Sequence, residues 1–143
     1  MIQSGRASLT VVSTETDPAL ISEILGLVPT RVALRGSVRR SGRPLEHNVW
    51  TIDVEQSPNA DADADETGTQ ALRDLVTGAR PAIGKLSRLP DDCDAKIWWS
   101  ADSDSTQGGF VLRAELAASI AELGVDVYAT VYLEGGESTE AEQ

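Results

Sequence analysis

The sequence predicts an α+β fold in a single domain, a mainly antiparallel or mixed sheet with its helices on one face. Short β-prone runs recur along the chain, the clearest being Val125 to Leu133, where Val, Ala and Leu alternate with Asp126, Tyr128, Thr130 and Tyr132. Between them lie segments with apolar residues at helical spacing, each closed by glycine or proline. The predicted order is strand, helix, strand, strand, helix, strand, strand, helix, strand, which admits two split βαβ halves of ferredoxin-like type.

Each element has its own signal. Ala7 to Ser13 is rich in Val and Thr and reads as a strand. Asp17 and Pro18 then form an N-cap with proline at the first helical position. Leu20, Ile21, Ile24 and Leu25 give that helix an apolar face, and Gly26 and Pro29 stop it. Val32 to Arg35 is a candidate strand, and the stretch that follows reads as a hairpin or long loop punctuated by Gly36, Gly42 and Pro44. Trp50, Ile52 and Val54 alternate with Thr51, Asp53 and Glu55, so Trp50 is expected to anchor the core.

Asn59 to Glu66, an Ala/Asp tract, lacks large apolar groups and reads as a solvated loop. Thr67 and Gln70 have capping-box spacing, and Leu72, Leu75, Val76, Ala79, Ile83 and Leu86 extend a long helix expected to kink or restart at Pro81. Ala95 to Ser100 is a strand holding Trp98 and Trp99, and Gln107 to Gly109 should turn the chain into a paired strand at Phe110 to Leu112. Trp98 and Trp99 point to opposite faces, one into the core and one outward. Leu116, Ala117, Ile120 and Leu123 trace the last helix, capped by Gly124. The domain is expected to span 1–134, with 135–143 a disordered acidic tail. Glu23 to Leu27 resembles Ala121 to Val125, but glycine-capped helices converge on such strings without duplication.

Composition narrows the function classes. At 143 residues the chain has one domain's length, enough to bury about 70% of its unfolded surface. One cysteine, Cys93, and one histidine, His47, provide neither a disulfide pair nor a zinc set. The first ten residues show no signal-peptide pattern and no apolar run is long enough to span a bilayer, so a cytoplasmic location and no membrane partner are expected. The net charge of -11 opposes nucleic acid and anionic lipid and favours a cationic protein surface.

No catalytic set emerges. His47 with Ser37 or Ser41 and Asp53 matches no nucleophile motif, and Gly36 to Gly42 lacks the lysine of a phosphate-binding loop. Asp61, Asp63 and Asp65 open like a calcium loop, but Glu66 stands where glycine is needed and Leu72 where a bidentate glutamate closes the shell. No metal and no cofactor are expected. Two charged clusters remain. Asp91, Asp92, Asp94, Asp102 and Asp104 lie at the ends of the strand holding Trp98 and Trp99, and together these residues form a candidate partner-binding surface. Arg35, Arg39, Arg40 and Arg43 form a cationic loop, which either pairs with the chain's own carboxylates or binds an anion or acidic partner.

The segments Leu25-Gly26-Leu27-Val28-Pro29-Thr30, the polar loop from Gly36 to the strand of Trp50, and the closing Leu123-Gly124 with Val125 to Tyr132 resemble the bacterial family of domain of unknown function 4279. The resemblance runs over nearly the whole chain. It implies no enzymatic activity and carries over no catalytic residue. Some relatives are proposed as immunity proteins, so it implies a protein that binds and neutralises a cognate toxin. Two other readings stand beside it: a small-anion module or unrecognised enzyme using the arginine loop, and an accessory or regulatory subunit of a larger complex.

Overall fold

The computed structural model describes residues 2–56, 68–103 and 109–133. Among these residues five strands, β1 (Ile2–Ser13), β2 (Arg31–Ala33), β3 (Asn48–Gln56), β4 (Asp94–Ser103) and β5 (Asp126–Leu133), form one sheet in the order β2-β3-β1-β4-β5. Three α-helices, α1 (Pro18–Leu25), α2 (Gln70–Gly78) and α3 (Ala114–Leu123), connect them. β1 is antiparallel to both β3 and β4, β2 is antiparallel to β3, and β4 and β5 are parallel.

These directions make β1-α1-β2 a split βαβ unit with β3 inserted, and β3-α2-β4 a second one with β1 inserted. The first four strands thus have the ferredoxin-like order, and α3 with β5 adds a further βαβ step on the β4 edge.

All three helices cover the same face. Register brings Leu9 between Ile52 and Ile97, and Val11 between Trp50 and Ala95, while Ile97 lies beside Val127. Against this layer pack Ile21 and Leu25 of α1, Leu72, Leu75 and Val76 of α2, and Leu116, Ile120 and Leu123 of α3. Trp50 is fully buried as expected, and its indole Nε1 donates to Ser22 Oγ at 2.9 Å, tying β3 to α1.

The α1 signals hold in detail. Asp17 accepts from the Ala19 amide at 2.8 Å, Pro18 opens the helix, and Gly26 ends it at φ 69°. A side chain at that angle would be strained. Gly124 closes α3 in the same way at φ 77°.

Three expectations are corrected. Thr69, not Thr67, is the N-cap of α2, so Gln70 is the first helical residue and its side-chain amide donates to Asp74 rather than completing a capping box; Thr67 lies outside the described residues. The helix also ends at Gly78, and two short 3₁₀ turns, Arg80–Ala82 and Leu86–Arg88, replace its continuation. Pro81 accounts for this, since its ring disfavours α geometry at Arg80 and removes an amide donor. Phe110 to Leu112 form no strand. The place beside β4 is taken by β5, which α3 delivers in parallel, and Phe110 instead packs its ring against Trp99 with centroids 4.7 Å apart. The Gln107-Gly108 turn, the Asn59 to Glu66 tract with Asp61, Asp63 and Asp65, and the tail 135–143 lie outside the described residues.

Leu9 is fully buried in the central strand, so Leu9→Ala removes packing on every side. It should cost about 3 kcal/mol, seen as a lower urea midpoint at unchanged slope. Thr10→Ala, on the opposite face, should cost under about 1 kcal/mol.

Candidate functional site: the open face of the sheet

With every helix on one side, the other side of the sheet carries the alternate residues of each strand without a covering layer among the described residues. One row across it runs Asp53 on β3, Ser8 on β1, Trp98 on β4 and Tyr128 on β5, each directly opposite the next. On either side of that row lie Thr10, Lys96 and Asp126, then Glu55, Arg6, Ser100 and Thr130.

The face has two halves. Over β2, β3 and β1 it is a polar network centred on Asp53, which accepts from Ser8 Oγ at 2.6 Å and Arg31 Nε at 2.7 Å. The Arg31 hydrogen bond is the main reason the Asp53 carboxyl sits below its ordinary pKa, and the same bond raises that of Arg31. Arg6 pairs with Glu55 at 3.4 Å, and these residues rim a shallow depression of about 280 Å³. Over β4 and β5 the face is aromatic. Trp98 is 49% exposed and stacks on Tyr128 with centroids 4.8 Å apart, and Tyr132 follows on the same side of β5 at 61% exposure. Lys96 Nζ lies 5.2 Å from the Tyr128 ring centre. Its pKa is raised chiefly by the hydrogen bond to Asp94, 3.2 Å away.

The structure divides the acidic cluster read from the sequence. Asp94, Trp98 and Asp102 share the open face, whereas Trp99 is buried on the helix side. Asp91 is exposed in the turn before β4, and Asp104 lies outside the described residues. Asp92 is committed to the fold. Its carboxylate accepts from the Glu15 and Thr16 amides at 2.8 and 2.9 Å and from Thr16 Oγ1 at 2.7 Å, which holds its pKa down to about 2.

Sequence reasoning misses Tyr128, Tyr132 and Ser8 as site residues and weighs Asp53 only as a carboxylate for His47. They were visible only as the polar phase of alternating strands, and nothing in one strand tells which strand lies beside it.

The arginine segment is a small hairpin, bridged at Val38 and Pro44, in which the Arg39 amide donates to the Arg43 carbonyl and Gly42 turns at φ 82°. Arg35 is anchored, donating to the Thr14 carbonyl at 3.3 Å and to Glu15 at 3.2 Å. Arg39, Arg40 and Arg43 are exposed and form no ion pair among the described residues. Elsewhere, a groove of about 470 Å³ runs between the Leu86 to Cys93 turns and the Leu123 to Val125 corner; burial pushes the Cys93 thiol pKa up, which keeps it protonated. Among the described residues, no group of three His, Cys, Asp or Glu side chains is placed to hold a metal, and no helix is long and apolar enough to cross a membrane.

The Asp92 geometry predicts an acid-limb effect. Its folded pKa of about 2 lies below the unfolded value of about 3.9. Its contribution is therefore complete above that unfolded value and is lost as pH falls through about 2. Asp92→Asn should lower the melting temperature at neutral pH and flatten the fall in stability on acidification, as read by thermal unfolding at stepped pH. An unchanged acid limb would show that Asp92 does not hold the turn.

No curated protein and no solved structure gives a significant match to the chain. A family model does match, over residues 3–134, and it covers all five strands and all three helices almost end to end. The chain therefore belongs to the family described as Domain of unknown function (DUF4279).

Proposed function

We propose that this protein is a non-enzymatic binding domain whose open sheet face takes up a basic protein surface, with a cognate toxin as the partner to be neutralised. The stacked, half-exposed Trp98 beside Tyr128 carries the reading. Exposed tryptophan and tyrosine on a rigid sheet are the residue types that dominate binding energy at interfaces. Asp94, Asp102 and Asp126 surround them, so lysine or arginine side chains of a partner find both ring faces and carboxylates. The net charge of -11 adds long-range attraction for such a partner. The absence of an oxidising requirement at the single Cys93 suits the bacterial cytoplasm as the place of action.

The test is capture and titration with the product of the gene encoded beside this one. Trp98→Ala should weaken binding by roughly 30-fold or more while the melting temperature changes little. Asp94→Asn with Asp126→Asn should slow association most at low salt. Full affinity in Trp98→Ala would remove the open face as the contact.

Arg39, Arg40 and Arg43, which are exposed and form no ion pair among the described residues, favour a second reading, in which the hairpin holds a phosphate or carboxylate ligand. A thermal-shift panel of inorganic phosphate, nucleotides and dicarboxylates separates it from the first. Ligand at 100 times its dissociation constant stabilises by about 2.7 kcal/mol, and Arg39→Ala with Arg43→Ala should abolish the shift. No shift across the panel would eliminate this second reading.

A further inference from the structure

The two edges of the sheet are built differently. β2 is three residues long and carries Arg31, which suits an edge protected from pairing. β5 is eight residues long, DVYATVYL, without proline, glycine or lysine, and its one charge is Asp126 at the first position. No strand lies beyond it among the described residues, so half of its backbone hydrogen-bonding groups face outward along that edge. It also exposes side chains on both faces, Tyr128 and Tyr132 on the open side and Ala129 and Leu133 on the helix side, while Val127 and Val131 are partly buried against the core.

We propose that a second copy of this chain occupies that edge, β5 pairing antiparallel with β5 across a two-fold axis to join two five-stranded sheets into one. An axis perpendicular to the sheet keeps each face on its own side, so directly opposed residues must belong to the same face, and a residue must sit on the axis. Thr130 fits that place. Tyr128 then lies opposite Tyr132 of the second copy, Ala129 opposite Val131 and Val127 opposite Leu133. Each cross-strand pair is aromatic with aromatic or apolar with apolar. An axis at Ala129 would instead set Tyr128 against Thr130 and Asp126 against Tyr132, and so break the aromatic pairs.

An uncharged stretch suits a second copy: each copy carries -11, so mutual repulsion is least where carboxylates are absent, and Val127 to Leu133, between Asp126 and Glu134, holds none. A cationic strand would find no partner charges along the same stretch. With the axis at Thr130 the two Asp126 residues stand about 26 Å apart, eight residues of strand. The pairing also enlarges the open face, because the Trp98–Tyr128 stack is continued by Tyr132 of the second copy, twice by symmetry.

The proposal does not depend on the protein partner and is tested without it. Sedimentation equilibrium of the full chain should show a reversible monomer–dimer equilibrium that tightens as salt rises from about 0.05 to 0.5 M, the reverse of binding to a cationic partner. Thr130→Lys, which sets two ammonium groups face to face, should weaken the dimer at least tenfold. In a Cys93→Ser background, Thr130→Cys should give a covalent dimer on mild oxidation, because opposed residues of an antiparallel pair lie about 4.5 to 5.5 Å apart between Cα atoms. Asp126→Cys should not. A monomer at every concentration, a dimer indifferent to Thr130→Lys, or equal cross-linking at both positions would overturn the proposal, and the cysteine pair decides it even where the lysine variant fails to fold.

Discussion

The register of β1 between β3 and β4 decides which residues of the whole sheet meet the helices. Ala7, Leu9, Val11 and Ser13 are buried on one side, and the neighbours opposite them, Trp50 and Ile52 on β3 and Ile97 and Trp99 on β4, inherit that side. A shift of one residue in either ladder would carry a neighbouring strand's apolar set to the uncovered face. Trp98 and Trp99 would exchange places, one losing its exposure and the other its burial. The core and the candidate binding face are therefore two consequences of one alignment.

Helix length is set locally. α1 and α3 end at glycines with positive φ, and α2 gives way to 3₁₀ turns at Pro81, so each of these helices is closed by a local backbone signal. α3 has less to cover, because it lies over the β4 and β5 end, where Val127 and Val131 are only half-buried and Ala129 is exposed. The thinning of the core toward β5 leaves Ala129 and Leu133 of its helix-side face exposed. The polar half of the open face has the opposite character, with Arg31, Asp53, Ser8, Arg6 and Glu55 satisfying one another. Groups that partner each other internally have less to gain from an outside surface than half-exposed rings do.

Much of this fold was legible in the sequence. The Asp17-Pro18 start and Gly26 stop of the first helix, the alternation through Trp50 and through β5, and the opposed orientation of Trp98 and Trp99 are local signals, and the structure keeps them. The split βαβ arrangement was admitted by element order alone. What failed depended on choosing between neighbours. Gln107 to Leu112 carries plausible hairpin residues, yet β5 competes for the same edge of β4 with a cleaner alternation and a crossover helix to deliver it. The capping box at Thr67 had a rival two residues on, at Thr69. The aromatic face was hidden for a deeper reason, since periodicity assigns a residue to a side of its strand and says nothing of which strand lies beside it.

Charge clusters in the sequence pointed partly to architecture. Thr14 to Thr16, the corner between β1 and α1, is gripped from two directions, by Arg35 through the Thr14 carbonyl and Glu15, and by Asp92 through two amides and a hydroxyl. Asn48 Nδ2 and Ser13 Oγ both donate to the Thr16 carbonyl at the same corner, and Asn48 Oδ1 accepts from the Arg35 amide. One arginine and one aspartate of the suspected sites are thus spent on holding a turn. The strand order then separates what remains. The arginine hairpin follows β2 at one edge of the sheet, while Tyr128, Tyr132 and Asp126 lie on β5 at the other. The cationic hairpin and the aromatic face with its aspartates thus lie at opposite edges of one sheet, and the molecule's charge is polarised along the strand order.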